Sequence, residues 1–247
     1  MLKSITVIFL SLFIFCVVIF TFFYVSFHLN ISVLNSVNDN SRKTFRQNQL
    51  LRTIFRLSDR GDARSDYYQP SPYSRLTFEV FSGSSGGLYP GSVDLLKTGL
   101  GDVINKPGGI RIAEKNLDNI PPIVDNQYLE SLAKSFPDYT SDTAVIRIYV
   151  LSSFKDAPDI LGQTIGAYSF AIFKNTVEKN DSGGLDAQDL EKEIILHEIG
   201  HLLGANHIPN QDCVMNAYVD STDTFTLTFT PTSYCSADIS VIREANY

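Results

Sequence analysis

The sequence has no tryptophan and only three cysteines, four histidines and two methionines in 247 residues. Each of those few side chains can therefore be asked what it is for. One methionine is the initiator, and one cysteine, Cys16, lies inside an apolar run, which leaves Met215, Cys213 and Cys235. Basic residues are scarce beyond residue 64. The net charge is −7, yet residues 42–64 hold Arg42, Lys43, Arg46, Arg52, Arg56, Arg60 and Arg64 against only Asp59 and Asp62. The chain beyond residue 64 is strongly acidic and would repel a phosphate backbone, which argues against nucleic acid as a partner. Such a surface would suit basic peptides or a Ca2+ ion, although a solvated acidic face accounts for it without either. No internal repeat is present, and a hydrophobic content of 44% reads as globular.

Charge is missing altogether from residues 4–27, SITVIFLSLFIFCVVIFTFFYVSF. At a rise of about 1.5 Å per residue this run is long enough to cross a hydrocarbon core of about 30 Å. It also lacks a clear small-residue cleavage site, so it is expected to be an uncleaved transmembrane anchor behind a short tail, residues 1–3. The alternatives are a cleaved signal peptide with a secreted protein and, third, a buried helix of a soluble protein. Lys3 precedes the run and Arg42, Lys43 and Arg46 follow it, a balance that slightly favours a cytoplasmic C-terminal side. Residues 28–70 read as a basic juxtamembrane stalk. Arg52, Arg56, Arg60 and Arg64 recur every four residues there, which suits a basic amphipathic helix facing either membrane lipid or solvent.

The folded part is expected over 71–247. Strands are expected at Leu76–Phe81, Ile110–Glu114, Ala144–Leu151 and Ile165–Phe173, from their β-branched and aromatic content. Helices are expected at Ser92–Val103, Gln127–Ser135 and from about Ala187 to Leu203, with Asp186 as N-cap of the last and a loop at Asn180–Gly184. Strands alternating with helices imply an α/β fold, a mixed sheet with flanking helices.

The helix over 187–203 presents His197 and His201, four apart, on one face. Gly204 at its end permits a positive φ, and His207 follows three residues later, placed to return as a third ligand. Three neutral imidazoles leave one tetrahedral position of a Zn2+ ion for water, and zinc lowers the pKa of that water toward ~7. Glu198, beside the first histidine, has the chemistry of a general base. Three of the four histidines fall in this pattern; the fourth, His28, sits beside the apolar run.

His197-Glu198-x-x-His201-x-x-Gly204-x-x-His207 resembles the extended motif of the metzincin clan of zinc proteases. Asp212-Cys213-Val214-Met215-Asn216 is similar to that clan's Met-turn, the apolar floor beneath the zinc histidines. The resemblance implies one catalytic zinc held by His197, His201 and His207, with Glu198 as base. It also implies a twisted mixed sheet, an active-site helix and a small C-terminal subdomain in a catalytic domain over 71–247. The strand before the helix, Ile165–Phe170, would be the rim that holds an extended protein or peptide substrate. Subfamily features conflict. Thr230–Arg243 (TPTSYCSADISVIR) resembles the end of reprolysin-type domains. Archaemetzincins place four cysteines where this chain has Ile208, Cys213, Ser233 and Ser236, so a second, structural zinc is not expected. Cys16 lies in the apolar run and offers no matrixin-type cysteine switch. Tyr218 stands three residues after Met215, one more than the astacin tyrosine.

In the layout of that clan, Cys213 and Cys235 both fall in the small subdomain, where they either form a disulfide or remain two buried thiols. A bridge would set the domain in an oxidising, extracellular space with the amino terminus inside. The expectation is thus a membrane-anchored zinc endopeptidase. Its rivals are a zinc hydrolase of cell-wall peptides and a non-catalytic membrane protein that keeps the fold.

Overall fold

The computed structural model describes residues 2–28, 44, 48–54, 57–83, 86–135, 137, 139–181, 186–209, 212–217 and 230–244. The chain divides into two compact units, one holding the N-terminal helix and the other spanning Arg56–Ala245. In the first, helix α1 covers Leu2–His28 and α2 covers Gln49–Ile54. Phe9, Leu10, Leu12, Phe13 and Phe15 on α1 are exposed. Among the described residues no helix is long and apolar enough to cross a membrane, so the expected span over 4–27 is not shown.

The second unit opens with α3 (Arg64–Tyr68) and strand β1 (Arg75–Ser82), followed by α4 (Pro90–Thr98) and β2 (Ile110–Asn116). Then come β3 (Ile123–Val124), α5 (Asn126–Ala133), β4 (Thr143–Leu151) and β5 (Ser153–Phe154). The chain continues through β6 (Gly162–Ile165), β7 (Ser169–Phe173), α6 (Lys174–Asp181), α7 (Ala187–Leu202) and α8 (Ser236–Glu244). Five strands form a sheet in the order β2-β1-β4-β7-β6. The first three pairings are parallel and β6–β7 is antiparallel, which makes the sheet mixed as expected.

β4 lies at the centre and is buried along nearly its whole length, as a run that is apolar but for Arg147 and the leading threonine requires. Ile146, Ile148 and Val150 join the core under α7 with Ile194, Ile195, Ile199 and Leu202. Tyr149 and Leu151 point to the opposite face, where Phe154, Phe173 and Leu129 of α5 cover them. The one charge inside β4, Arg147, meets its register partner Glu79 on β1 at 3.1 Å.

Three expectations change here. The run Ile165–Phe173 is not one strand: β6 ends at Ile165, the chain turns over 166–168, and β7 begins at Ser169. Of the expected rim, Ile165–Phe170, only Ile165 lies on the edge strand; β7 is an inner strand between β4 and β6. Helix α6 also replaces the first part of the expected loop Asn180–Gly184, the rest of which lies outside the described residues. Its sequence KNTVEKND buries only Val177 fully, too little to give a helical apolar period.

The expected stalk overlaps the second unit from Arg56 on. Tyr67 is fully buried and donates to Ala167 O at 3.0 Å, and Ala167 N donates to Ser58 O at 3.0 Å. Arg64 Nη2 donates to the carbonyl of Ile242 at 2.7 Å and that of Arg243 at 3.2 Å, near the C-terminus of α8, a favourable place for a cation. The arginine repeat expected to face lipid or solvent is therefore spent in part on the folded unit.

Lys106 is buried against the same segment, donating to Gln69 O and to Tyr73 O. Burial lowers its ammonium from the ordinary 10.5 to about 8, against an opposing pull from Asp66. Between those values the unfolded chain holds a proton that the folded chain does not, so this lysine makes stability rise with pH across that window. Lys106→Met should flatten the rise. Urea unfolding of both proteins from about pH 7.5 to 10.5 checks it, and parallel pH profiles would contradict it.

Candidate active site

Asp186 starts α7 as its N-cap, accepting from the amides of Gln188 at 2.8 Å and Asp189 at 3.0 Å. The isoleucines lock the helix into the core, which leaves His197 and His201 one turn apart, their rings 4.5 Å between centroids. Gly204 at φ +86° ends the helix, Ala205 N donates back to Gly200 O at 2.9 Å, and the reversed chain brings His207 over the pair.

His201 Nε2 lies 3.1 Å from His207 Nε2, which in turn lies 3.2 Å from His197 Nε2. The outer nitrogens fix the chemistry of the inner ones. His197 Nδ1 meets Val214 O at 2.7 Å and His201 Nδ1 meets Ala205 O at 2.9 Å. A carbonyl only accepts, so both Nδ1 atoms carry the proton and both Nε2 atoms present lone pairs. His207 Nε2 faces both lone pairs, so it either donates a proton toward them or adds a third lone pair that a bound cation would draw together. Tetrahedral zinc with bonds of about 2.0–2.1 Å would hold nitrogens roughly 3.3–3.4 Å apart, close to the spacing found. The set is all imidazole, which suits zinc; calcium takes oxygen ligands, and nothing here supports the Ca2+ expectation. His197 and His201 are buried while His207 is exposed, so the centre opens on one side.

Glu198 follows the first histidine and is 1% exposed. Thr164 Oγ1 on the edge strand β6 donates to its Oε2 at 2.6 Å, which holds one carboxylate oxygen beside that strand. Below the histidines sits Met215, fully buried. A Cβ at Gly200 would lie 2.2 Å from Met215 Sδ, so any larger residue would force the Met215 side chain to move. Cys213 and Cys235 are joined by a disulfide. With Asp238 they form the other described cluster of metal-capable side chains, but the sulfurs are bonded to each other and the carboxylate accepts from three amides.

Two buried acids lie close by, Glu193 on α7 itself and Tyr234 shortly before α8. Burial pushes the Glu193 carboxyl up to about 8, with His197 pulling the other way. Burial, and Asp238 after it, raise the Tyr234 hydroxyl well above the usual tyrosine range, so it remains a donor, to Leu196 O at 2.6 Å. Tyr218 lies outside the described residues.

Sequence reasoning places the three histidines and Glu198 together, and the structure brings them together. It passes over Thr164, Gly200, Asp238 and Arg60. Arg60 Nη2 donates at 3.0 Å to Ala205 O, the carbonyl that also takes the His201 proton. Only Gly200 carried a signal, since glycine inside a helix costs about 1 kcal/mol and asks for a reason.

Fold and site together define a mixed-sheet domain whose long helix and following turn gather three imidazoles beside a glutamate. The sequence model for peptidase family M54 matches residues 114–242, just over half of the chain, and the chain belongs to that family. This agrees with the metzincin resemblance and leaves the subfamily open. Among solved structures, archaemetzincin from Methanopyrus kandleri is similar at 14% identity and a TM-score of 0.47, covering 72% of this chain and 97% of its own. Archaemetzincin from Archaeoglobus fulgidus, complexed with malonate, is similar at 18% identity and a TM-score of 0.43, covering 67% and 98%. A zinc-dependent peptidase from Methanocorpusculum labreanum is similar at 15% identity and 0.43, covering 67% and 99%. No curated protein sequence matches the chain.

Proposed function

We propose that this protein is a zinc-dependent endopeptidase held at a membrane by residues 4–27, with its catalytic unit on the outer face. The observation that carries the enzymatic reading is the convergence of imidazole nitrogens at 3.1 and 3.2 Å, with two Nδ1 protons committed to carbonyls and a carboxylate alongside. Membership of a peptidase family supports it. His197, His201 and His207 would hold the ion. When bound, zinc supplies Lewis acidity to the scissile carbonyl and the attacking water. Glu198 takes the proton from that water and passes it to the leaving amine. The Thr164 hydroxyl keeps Glu198 Oε2 oriented. β6, antiparallel at the end of the sheet order, offers backbone groups to an extended peptide.

The anchor rests on the uncharged run 4–27 and on the exposed phenylalanines and leucines of α1, a surface that asks for lipid or protein cover. The outer face rests on the disulfide, since such bonds persist outside the reducing cytosol. The purified full chain should contain one zinc and cleave members of a peptide library, and a chelator should abolish cleavage. A zinc-saturated chain that cleaves no peptide would sink the enzymatic reading. The chain should also stay with membranes through alkaline extraction. A mature amino terminus within residues 28–40 would make the run a signal peptide and the enzyme secreted.

A further inference from the structure

We propose that Asp238 is a positioning residue for the metal centre, acting on two of the three histidines through the Val214–Met215 dipeptide. This role rests on the zinc reading of the histidine site. Asp238 is fully buried at the start of α8. Its Oδ2 accepts from Val214 N at 3.0 Å and its Oδ1 from Met215 N at 3.0 Å, so one carboxylate grips two consecutive amides. Oδ2 also takes Cys235 N at 2.9 Å, which ties the grip to the first turn of the helix.

The carbonyls of the same two residues point the other way. Val214 O takes the Nδ1 proton of His197 at 2.7 Å. Met215 O accepts from Ile208 N at 2.8 Å, the residue after His207. Every hydrogen-bonding group of the dipeptide backbone is therefore used, the amides by Asp238 and the carbonyls by the ligand-bearing segments. Rotation of the 214–215 peptides would withdraw the orienting acceptor from His197 and the tether from His207 together. A carboxylate holds both N–H groups with charge-assisted bonds and has no donor to repel them. An asparagine in its place offers one oxygen and turns an NH2 toward the other amides, so it is nearly the same in shape and wrong in chemistry.

The test uses the purified full chain, measuring zinc affinity by competition with a chromophoric chelator and the visible spectrum of the cobalt-substituted protein. Asp238→Asn should weaken zinc at least about tenfold, the usual effect of losing a partner behind the ligands, and shift the cobalt bands. Arg64→Met serves as control. It removes the hydrogen bonds to Ile242 and Arg243 at the far end of the same helix and should leave zinc affinity within twofold of wild type. Asp238→Asn binding zinc within twofold of wild type would overturn the proposal while the zinc reading stands. Equal weakening in both variants would also overturn it, since loosening of α8 would then be the cause. Wild type that binds no zinc would remove the zinc reading itself, and the role of Asp238 with it. If Asp238→Asn does not fold, amide exchange in zinc-free wild type decides. Val214 and Met215 should stay protected without metal, and exchange at loop rates would overturn the claim that Asp238 sets the dipeptide in advance.

Discussion

Glu198→Gln should leave the fold and the zinc content as they are and lower peptide cleavage at least about 100-fold. Nothing that holds the metal is touched, because the converging nitrogens belong to the three histidines. Nothing that packs the side chain is lost either. Glutamine has the same heavy-atom shape, and the Thr164 hydroxyl, 2.6 Å from Oε2, can donate to an amide oxygen as it does to the carboxylate. What disappears is the group proposed to accept a proton from water and return it to the amine. A hundredfold loss corresponds to about 2.7 kcal/mol of transition-state stabilisation. The measurement is kcat/KM on the best peptide from library profiling, with zinc content and Tm recorded on the same preparation. Cleavage within threefold of wild type would end the assignment of Glu198 as base. Loss of zinc would show instead that its role is structural.

How much of the fold and site was legible depends on how far apart in sequence the partners lie. Asp186, His197, Glu198, His201 and Gly204 sit on one helix and its exit, where spacing alone sets geometry, and the helix found over Ala187–Leu202 needed only that local period. The hairpin β6–β7 was not legible, because both strands face buried surface and the turn at 166–168 contains Ala167 and Tyr168, themselves buried. With no polar break, two strands read as one. Arg60 and Arg64 recur at a spacing that suits a solvated or lipid-facing helix, yet their acceptors are 145 and 178 residues away. Asp238 and Thr164 have the same character. A lone acid near a cysteine and a threonine in a short strand of mixed polarity carry no sign of the amides or the carboxylate they meet once the sheet and the final helix close.

Removing the bridge with Cys213→Ala and Cys235→Ser should cost about 3 kcal/mol of stability in the zinc-free protein, from the entropy regained by an unfolded chain no longer closed into a loop. The loop spans 22 residues. The substitutions are chosen so that little else changes. Cys213 is buried, where alanine avoids stranding a hydroxyl. Cys235 precedes α8 and its sulfur takes Asp238 N at 3.3 Å, a capping task that serine performs well. The loss should therefore report the cross-link and not the cap. It corresponds to a fall of roughly 6–12 °C in Tm for a folded unit of this size, and urea unfolding without metal gives the free energy directly. Zinc must be absent because binding to the folded state alone would mask the difference. The bridge also ties the turn that carries Met215, through residue 213, to the start of α8, three residues before Asp238, so the same variant should bind zinc more weakly. A double variant as stable as wild type would mean that the cross-link constrains nothing. Alkylation of both thiols in the native enzyme, denatured without reductant, would mean that it does not form in the cell, and the support for an outer-face catalytic unit would go with it.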